Sequence, residues 1–349
     1  MVAIWACLLM FFFNPQKLYA SCVALGGDER LQNLCLLHQI DGALIDRNTA
    51  LYIDQRLKST GMTSGLKLPD GGSVGAEGAN LSLTPVLQYF ANINGGNPRE
   101  ILHVGSISLK GEREFLKKDD LSAGARVTFN LRELYGEGSY FNYLGTAALS
   151  QGLSVPDKVA ENAHSICSMN KISKTMYFDF CASAAKIKKT LSKNETKDIS
   201  LIFSMMENTK WNKQIHYKLG LAELFEEQYE QTSTSIGVDV ISDAKVFYSA
   251  NFRFGEPVND ELVTTHALGA SLGFFIYEKP IRLSANIKKA SGGLFLGVAR
   301  QTNTKNISIS FPISDYFYLS VGYEEVDAKI NFFDQASPSI AINFTSYTF

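Results

Sequence analysis

Beyond residue 13 the chain has no apolar run approaching the roughly 18 residues of a membrane-spanning helix, which excludes a helical membrane bundle. It has only 9 prolines, and its 19% of charged residues stand against 45% hydrophobic ones, so a disordered chain is excluded too. The 33 Lys and Arg nearly cancel the 35 Asp and Glu, and without a basic field nothing points to a nucleic-acid partner. Five cysteines in 349 residues are too few for a disulfide miniprotein. No CxxC or HxxxH spacing occurs, and His38, His103, His164, His216 and His266 are scattered, so neither a metal site nor a cofactor is expected.

What is abundant is aromatic and small: 23 Phe, 15 Tyr and 27 Gly, the composition of strands and tight turns. Residues 1–13 are almost wholly apolar and stop at Asn14-Pro15, too short to span a bilayer and suited to a signal sequence. Small residues lead to Ala20, so cleavage there is expected, giving a signal peptide over 1–20 and an exported chain starting at Ser21. Lipid attachment at Cys22 is a second option, although Tyr19 stands where that motif takes an aliphatic residue. Export leaves Cys22, Cys35, Cys167 and Cys181, an even number whose simplest pairing is the two sequence-local disulfides Cys22–Cys35 and Cys167–Cys181.

From Leu121 onward the dominant pattern has period two. Leu121, Ala123, Ala125, Val127, Phe129 and Leu131 alternate with Ser122, Gly124, Arg126, Thr128, Asn130 and Arg132, which makes a two-faced strand. The pattern returns at 246–254, 281–288, 307–311 and 317–324. The segments are longer than the usual globular strand of about 5 to 6 residues and match tilted strands crossing a bilayer. Breakers at Gly136-Glu137-Gly138, Glu278-Lys279-Pro280, Ser291-Gly292-Gly293, Ser314-Asp315 and Ser337-Pro338 are expected turns.

The reading is therefore all-β: a transmembrane, antiparallel, up-and-down β-barrel of about 14 strands (12 to 16) over 79–349, with a short N-terminal periplasmic segment. Short turns on the periplasmic side and longer loops outside, chiefly 92–120 and 152–161, fit that class. Residues 21–78 are too short for an array of repeats. They show one expected helix, Ile40 to Leu57, and a Gly-rich stretch, which is either a plain linker or a small plug.

The chain closes on Ser337-Pro338-Ser339-Ile340-Ala341-Ile342-Asn343-Phe344-Thr345-Ser346-Tyr347-Thr348-Phe349. This resembles the terminal strand of bacterial outer-membrane barrels, in which a final Phe and an aromatic two residues earlier are recognised by the barrel assembly machinery. The resemblance gives those roles to Phe349 and Tyr347. Asn343 and Thr345 share their parity but are polar, while Ile340, Ile342 and Phe344 lie on the other, which points to a bulge. The first strand and its Asn-rich exit, Leu83-Thr84-Pro85-Val86-Leu87-Gln88-Tyr89-Phe90-Ala91-Asn92-Ile93-Asn94-Gly95-Gly96, is similar to the opening barrel strand of surface lipoprotein assembly modifiers. That family carries helical repeats before its barrel, which this chain lacks, so only the architecture is carried over.

By parity the lumen receives Arg126, Arg132, Lys218, Arg253, Arg282 and Lys288, together with Asp179 and Glu324. Such a lining suits either an aqueous, anion-favouring passage or a closed barrel stiffened by internal ion pairs. Barrel lipases place a Ser two residues after a His on one strand face; no His-x-Ser occurs, and an enzyme is not expected. The expected role is passage or export across the outer membrane of a Gram-negative cell. Its partners would be outer-membrane lipid, the assembly machinery, and a small solute or an exported lipoprotein. A closed structural or surface-interaction barrel is the alternative.

Overall fold

The structure is a computed structural model that describes residues 22, 28–40, 53–54, 56–57 and 78–348, apart from 105–106, 210–212, 243–245, 278, 315 and 345–346. The expected signal peptide and Phe349 lie outside the described residues.

The alternating segments form one antiparallel sheet of 14 strands closed on itself. In chain order they are β1 (Gly78–Phe90), β2 (Asp120–Gly136), β3 (Ser139–Gly152), β4 (Lys158–Lys171), β5 (Met176–Lys188), β6 (Lys193–Asn208) and β7 (Lys213–Glu226). There follow β8 (Glu230–Ser242), β9 (Val246–Gly255), β10 (Val263–Ile276), β11 (Lys279–Phe295), β12 (Val298–Ser314), β13 (Phe317–Ala328) and β14 (Gln335–Phe344). Each strand pairs with its sequence neighbours, and β14 closes the ring by pairing with β1, for example Tyr89 opposite Ile340. Closure satisfies every strand edge, so no second sheet is needed to cover one.

The apolar members of each alternation face away from the lumen and stay exposed: Val127 at 42%, Ile166 at 54%, Leu219 at 50% and Ile307 at 60%. Among the described residues no second layer covers them, so the barrel presents an apolar exterior. Among the described residues no helix is long and apolar enough to cross a membrane.

The turns at one end are short, at 137–138, 172–175, 243–245, 277–278 and 315–316. The other end carries 91–119, 153–157, 256–262 and 329–334. The chain enters β1 and leaves β14 at the short-turn end.

Four sequence expectations change. Ser337-Pro338 is no turn but lies inside β14, with Pro338 opposite Tyr323 of β13. Loop 152–161 shrinks to 153–157 because β4 already begins at Lys158, with Asp157 accepting a hydrogen bond from Thr190 Oγ1 at 2.6 Å. Ser291-Gly292-Gly293 is no turn: β11 runs through it to Phe295 with a register slip between Ser291 and Leu294. Gly292 (φ +120°) and Gly293 (φ +67°) form a bulge there, and a Cβ at Gly292 would come within 2.3 Å of Glu261 O. The helix of the N-terminal segment, α1, is Glu29–Ile40, ahead of the expected 40–57; within that range residues 53, 54, 56 and 57 are helical.

The last strand is bulged as well. Val86 faces Asn343 while Leu83 faces Tyr347, so three steps on β1 match four on the C-terminal strand. The extra residue carries Tyr347 into the register of Ile340 and Ile342, opposite the outward positions of β1, and so reconciles the two parities of the terminal sequence.

Candidate functional site: the two mouths of the lumen

The described residues of the N-terminal segment sit inside the barrel at its short-turn end. Asp28 begins α1, its Oδ1 accepting the Leu31 amide at 2.9 Å, as an N-cap carboxylate does. Three successive charges then meet three walls of the lumen. Asp28 Oδ2 lies 2.6 Å from His216 Nδ1 and 3.0 Å from Lys218 Nζ on β7. Glu29 pairs with Arg132 on β2 at 2.8 Å. Arg30 forms a two-pronged pair with Asp179 on β5 at 2.7 and 2.9 Å, and its guanidinium lies 4.1 Å from the Tyr177 ring centre.

Apolar contact completes the docking. Leu31, Leu36, Ile53, Leu57 and the Cys22–Cys35 disulfide form one buried cluster with Ile241 and Phe247 of the barrel wall. Burial by itself would raise the Asp28 carboxyl, but the His216 contact and the His216 and Lys218 charges hold it far below the usual carboxylate range. Asp28, His216 and Asp239 bring one metal-capable atom each within 4.8 Å of one another. The Lys218 ammonium stands among them, 2.7 Å from Asp239 Oδ2 and 3.0 Å from Asp28, and supplies the cation.

Above this junction lies a cavity of about 340 Å³ lined by Asp28, Lys218, Asp239, Ser249, Asn251 and Arg282. All eight lumen residues of the sequence reading fall on the inner register. Arg126 pairs with Glu161 at 3.2 Å, Arg132 with Glu29, Asp179 with Arg30, and Lys218 with Asp28 and Asp239. Arg253 donates to Ser233 Oγ at 3.1 Å, and Arg282 lies 5.8 Å from the Phe247 ring centre. Arg253 and Lys288 both lie opposite Ala267 from either side, two strands apart. Among the described residues Arg253, Arg282 and Lys288 have no acidic partner within 4.0 Å, which leaves a cationic wall on β9 and β11. Glu324 faces Asn306 across β12 and β13.

The disulfide Cys167–Cys181 joins directly opposed residues of β4 and β5, Cα atoms 4.1 Å apart, on the lumen register.

The far mouth is crossed by loop 91–119. Its centre is Asn94, wholly buried, whose Nδ2 donates to Leu116 O at 2.7 Å and whose Oδ1 accepts from Lys118 N at 2.8 Å. The Leu191 amide donates to Asn94 O at 2.7 Å, and Lys189 Nζ to Asn92 O at 2.7 Å. These contacts join β1 to the β5–β6 loop, a path of about 19 Å along the wall at about 4.8 Å per strand. Lys118 reaches Asp157 at 3.3 Å and Arg99 reaches Asp334 at 3.3 Å, so the loop is tied on both sides. Gly95 (φ +76°) permits the close approach, since a Cβ there would fall 2.1 Å from Ser192 Oγ. Sequence reasoning noted the Asn-rich exit but missed Asn94 and His216, whose partners are distant in sequence and carry no local pattern.

No known family's sequence pattern matches this chain, and neither does any curated protein. Among solved structures it is similar to Pseudomonas putida OprB, with 8% identity, TM-score 0.44 and 78% of this chain covering 94% of that one. Acinetobacter baumannii OccAB4 gives 6%, 0.41, 81% and 100%. The outer membrane protein OprD from Pseudomonas aeruginosa gives 7%, 0.40, 78% and 93%.

Proposed function

We propose that this chain is an outer-membrane channel for small anionic solutes, held shut at its periplasmic mouth by its own N-terminal segment. The observation that carries the proposal is the docking of α1: three consecutive charged residues, each on a different part of the lumen wall, beneath a polar cavity. A plain linker has no reason to bury Arg30 to 4% exposure against a wall carboxylate. The closed sheet and bare apolar exterior support placement in the outer membrane, with the termini in the periplasm and loop 91–119 outside. Export through the signal peptide and insertion by the assembly machinery through Tyr347 and Phe349 belong to the same reading.

The anion preference follows from the charge balance. Four of the eight lumen charges named from sequence are neutralised in pairs; of the other four, Arg253, Arg282 and Lys288 outnumber Glu324 and leave a net positive wall on β9 and β11 to attract a passing anion. No His-x-Ser occurs in the sequence, and the His103 Nδ1–Ser108 Oγ contact of 2.9 Å lies exposed in loop 91–119, away from the lumen cavity, so the reading is not enzymatic.

The test is planar-bilayer recording of the full chain and of a variant lacking residues 21–77. The full chain should conduct little, and the shortened one should give steady channels whose reversal potential in a salt gradient marks anion selectivity. Equal, negligible conductance of both would return the protein to the closed structural barrel. Export of a lipoprotein is the second reading, supported by the first-strand resemblance alone; surface display of a co-expressed lipoprotein that depends on this chain would favour it.

A further inference from the structure

Outside the lumen the wall is not uniformly apolar. On the exterior of β3 and β4, Tyr143 Oη and His164 Nδ1 lie 2.7 Å apart. Beside them runs a groove of about 370 Å³, walled by Tyr143, His164 and Ile166 on one side and by Ile199 and Phe225 on the other, with Ala182 and Ala184 between. Its lining is nearly all carbon at the surface, which suits an acyl chain and not a polar solute.

The loop end of this groove is strongly basic. Lys186 and Lys188 on β5 and Lys193 and Lys197 on β6 share the outward register of Ala182, Ala184 and Ile199. Among the described residues Glu195 stands between them, 3.6 Å from Lys186, 3.2 Å from Lys193 and 4.0 Å from Lys197, and Glu223 lies opposite Ile199 on the same outward register. Four ammonium groups against two carboxylates leave the face net positive. Lysines on the lipid face are costly at mid-membrane but nearly free at headgroup depth, where the β5–β6 loop places these. Headgroup depth at that end is also where a membrane supplies phosphate.

We infer that the groove binds a phosphorylated glycolipid of the outer leaflet. One acyl chain lies over Ala182 and Ala184 between Ile166 and Ile199, and the phosphate rests on Lys186, Lys193 and Lys197. A second copy of this chain is a poor occupant, because a two-fold contact would set the lysine cluster against itself. The inference rests on the outer-membrane orientation proposed above, but not on conduction.

The test uses full-length protein purified in mild detergent and stripped of lipid, titrated with bisphosphorylated lipid A and followed by native mass spectrometry. Expected are one lipid bound per barrel, at least tenfold weaker binding of dephosphorylated lipid A, and a similar loss in the triple variant K186Q/K193Q/K197Q. Ala184→Trp should weaken binding by obstructing the groove; if it does not fold, Ala182→Leu does the same with less bulk. Folding of each variant is checked by the shift in gel mobility on boiling. Equal affinity for the two lipids, or no effect of the lysine substitutions, would overturn the inference. So would full competition by millimolar inorganic phosphate, which would assign the cluster to free anion. An acidic protein co-purifying in place of lipid would overturn it as well. Loss of lipid binding with conduction intact sinks only this inference, whereas absence of conduction with lipid bound sinks only the channel.

Discussion

Arg30 and Asp179 are withdrawn from water together, their side chains 5% and 8% exposed. Removing one leaves the other charged and unpaired in the lumen wall, a loss of about 3–5 kcal/mol where a buried pair is broken. Arg30→Ala should therefore release α1 and raise the open fraction in single-channel records, while Arg30→Met with Asp179→Leu should restore much of the closure. Asp28 adds a pH signature. Its carboxyl is held below the ordinary value, so its contribution is present above about pH 4, the unfolded range, and is lost as pH falls through the folded value. The difference in plug release between the wild type and Asp28→Asn should persist at pH 5 and shrink in stronger acid. A difference that vanished between pH 7 and 5 would place the controlling proton elsewhere. The inward placement of Arg126, Arg132, Asp179 and Lys218 was legible from parity alone, because a strand leaves a side chain only two directions. Their partners were not, since Arg30 and Asp179 are 149 residues apart and nothing local in either sequence announces the other.

Among the elements, the barrel strands were legible and α1 was not, for one physical reason. A lipid-facing strand buries every second residue by the same rule throughout, so the alternation is the fold. In α1, Arg30 and Asn33 are as buried as Leu31 and Leu36, because the barrel wall surrounding the helix offers charges on some sides and carbon on others. Such a helix shows no apolar stripe. The reading of Ser291-Gly292-Gly293 as a turn failed in a similar way: glycines permit a turn and a bulge equally, and the 256–262 loop packed on them decides. With φ at +120° and Glu261 O at 2.3 Å from an added Cβ, Gly292→Ala should strain the bulge by about 1–3 kcal/mol. The expected result is a lower temperature for loss of the unboiled gel form, with the strand count by circular dichroism unchanged. The two disulfides divide likewise. Reduction of Cys22–Cys35 should loosen the plug, whereas reduction of Cys167–Cys181, already inside a continuous strand pair, should leave the barrel closed.

At the scale of the whole molecule the lumen has two closures in series, α1 at the short-turn mouth and loop 91–119 at the far one, with the cavity between. Resistances in series add, so the larger one governs the current. The plug fixes its mouth with a buried apolar cluster and three ion-pair contacts, while the loop is tied by Asn94, Lys189, one exposed pair (Arg99–Asp334) and one half-buried pair (Lys118–Asp157). Breaking the weaker closure alone should then change little. Asn94→Ala removes the side chain that holds Leu116 and Lys118 and leaves their backbone groups unpaired, at about 1–3 kcal/mol, enough to free the loop. In the full chain this substitution should leave conductance near its low wild-type level, because the plug still blocks. In the chain lacking residues 21–77 it should raise conductance further and increase current noise from loop movement. Strict additivity of the two changes would mean parallel routes and not a single lumen. A rise from Asn94→Ala alone as large as that from plug removal would show that α1 does not seal the short-turn mouth.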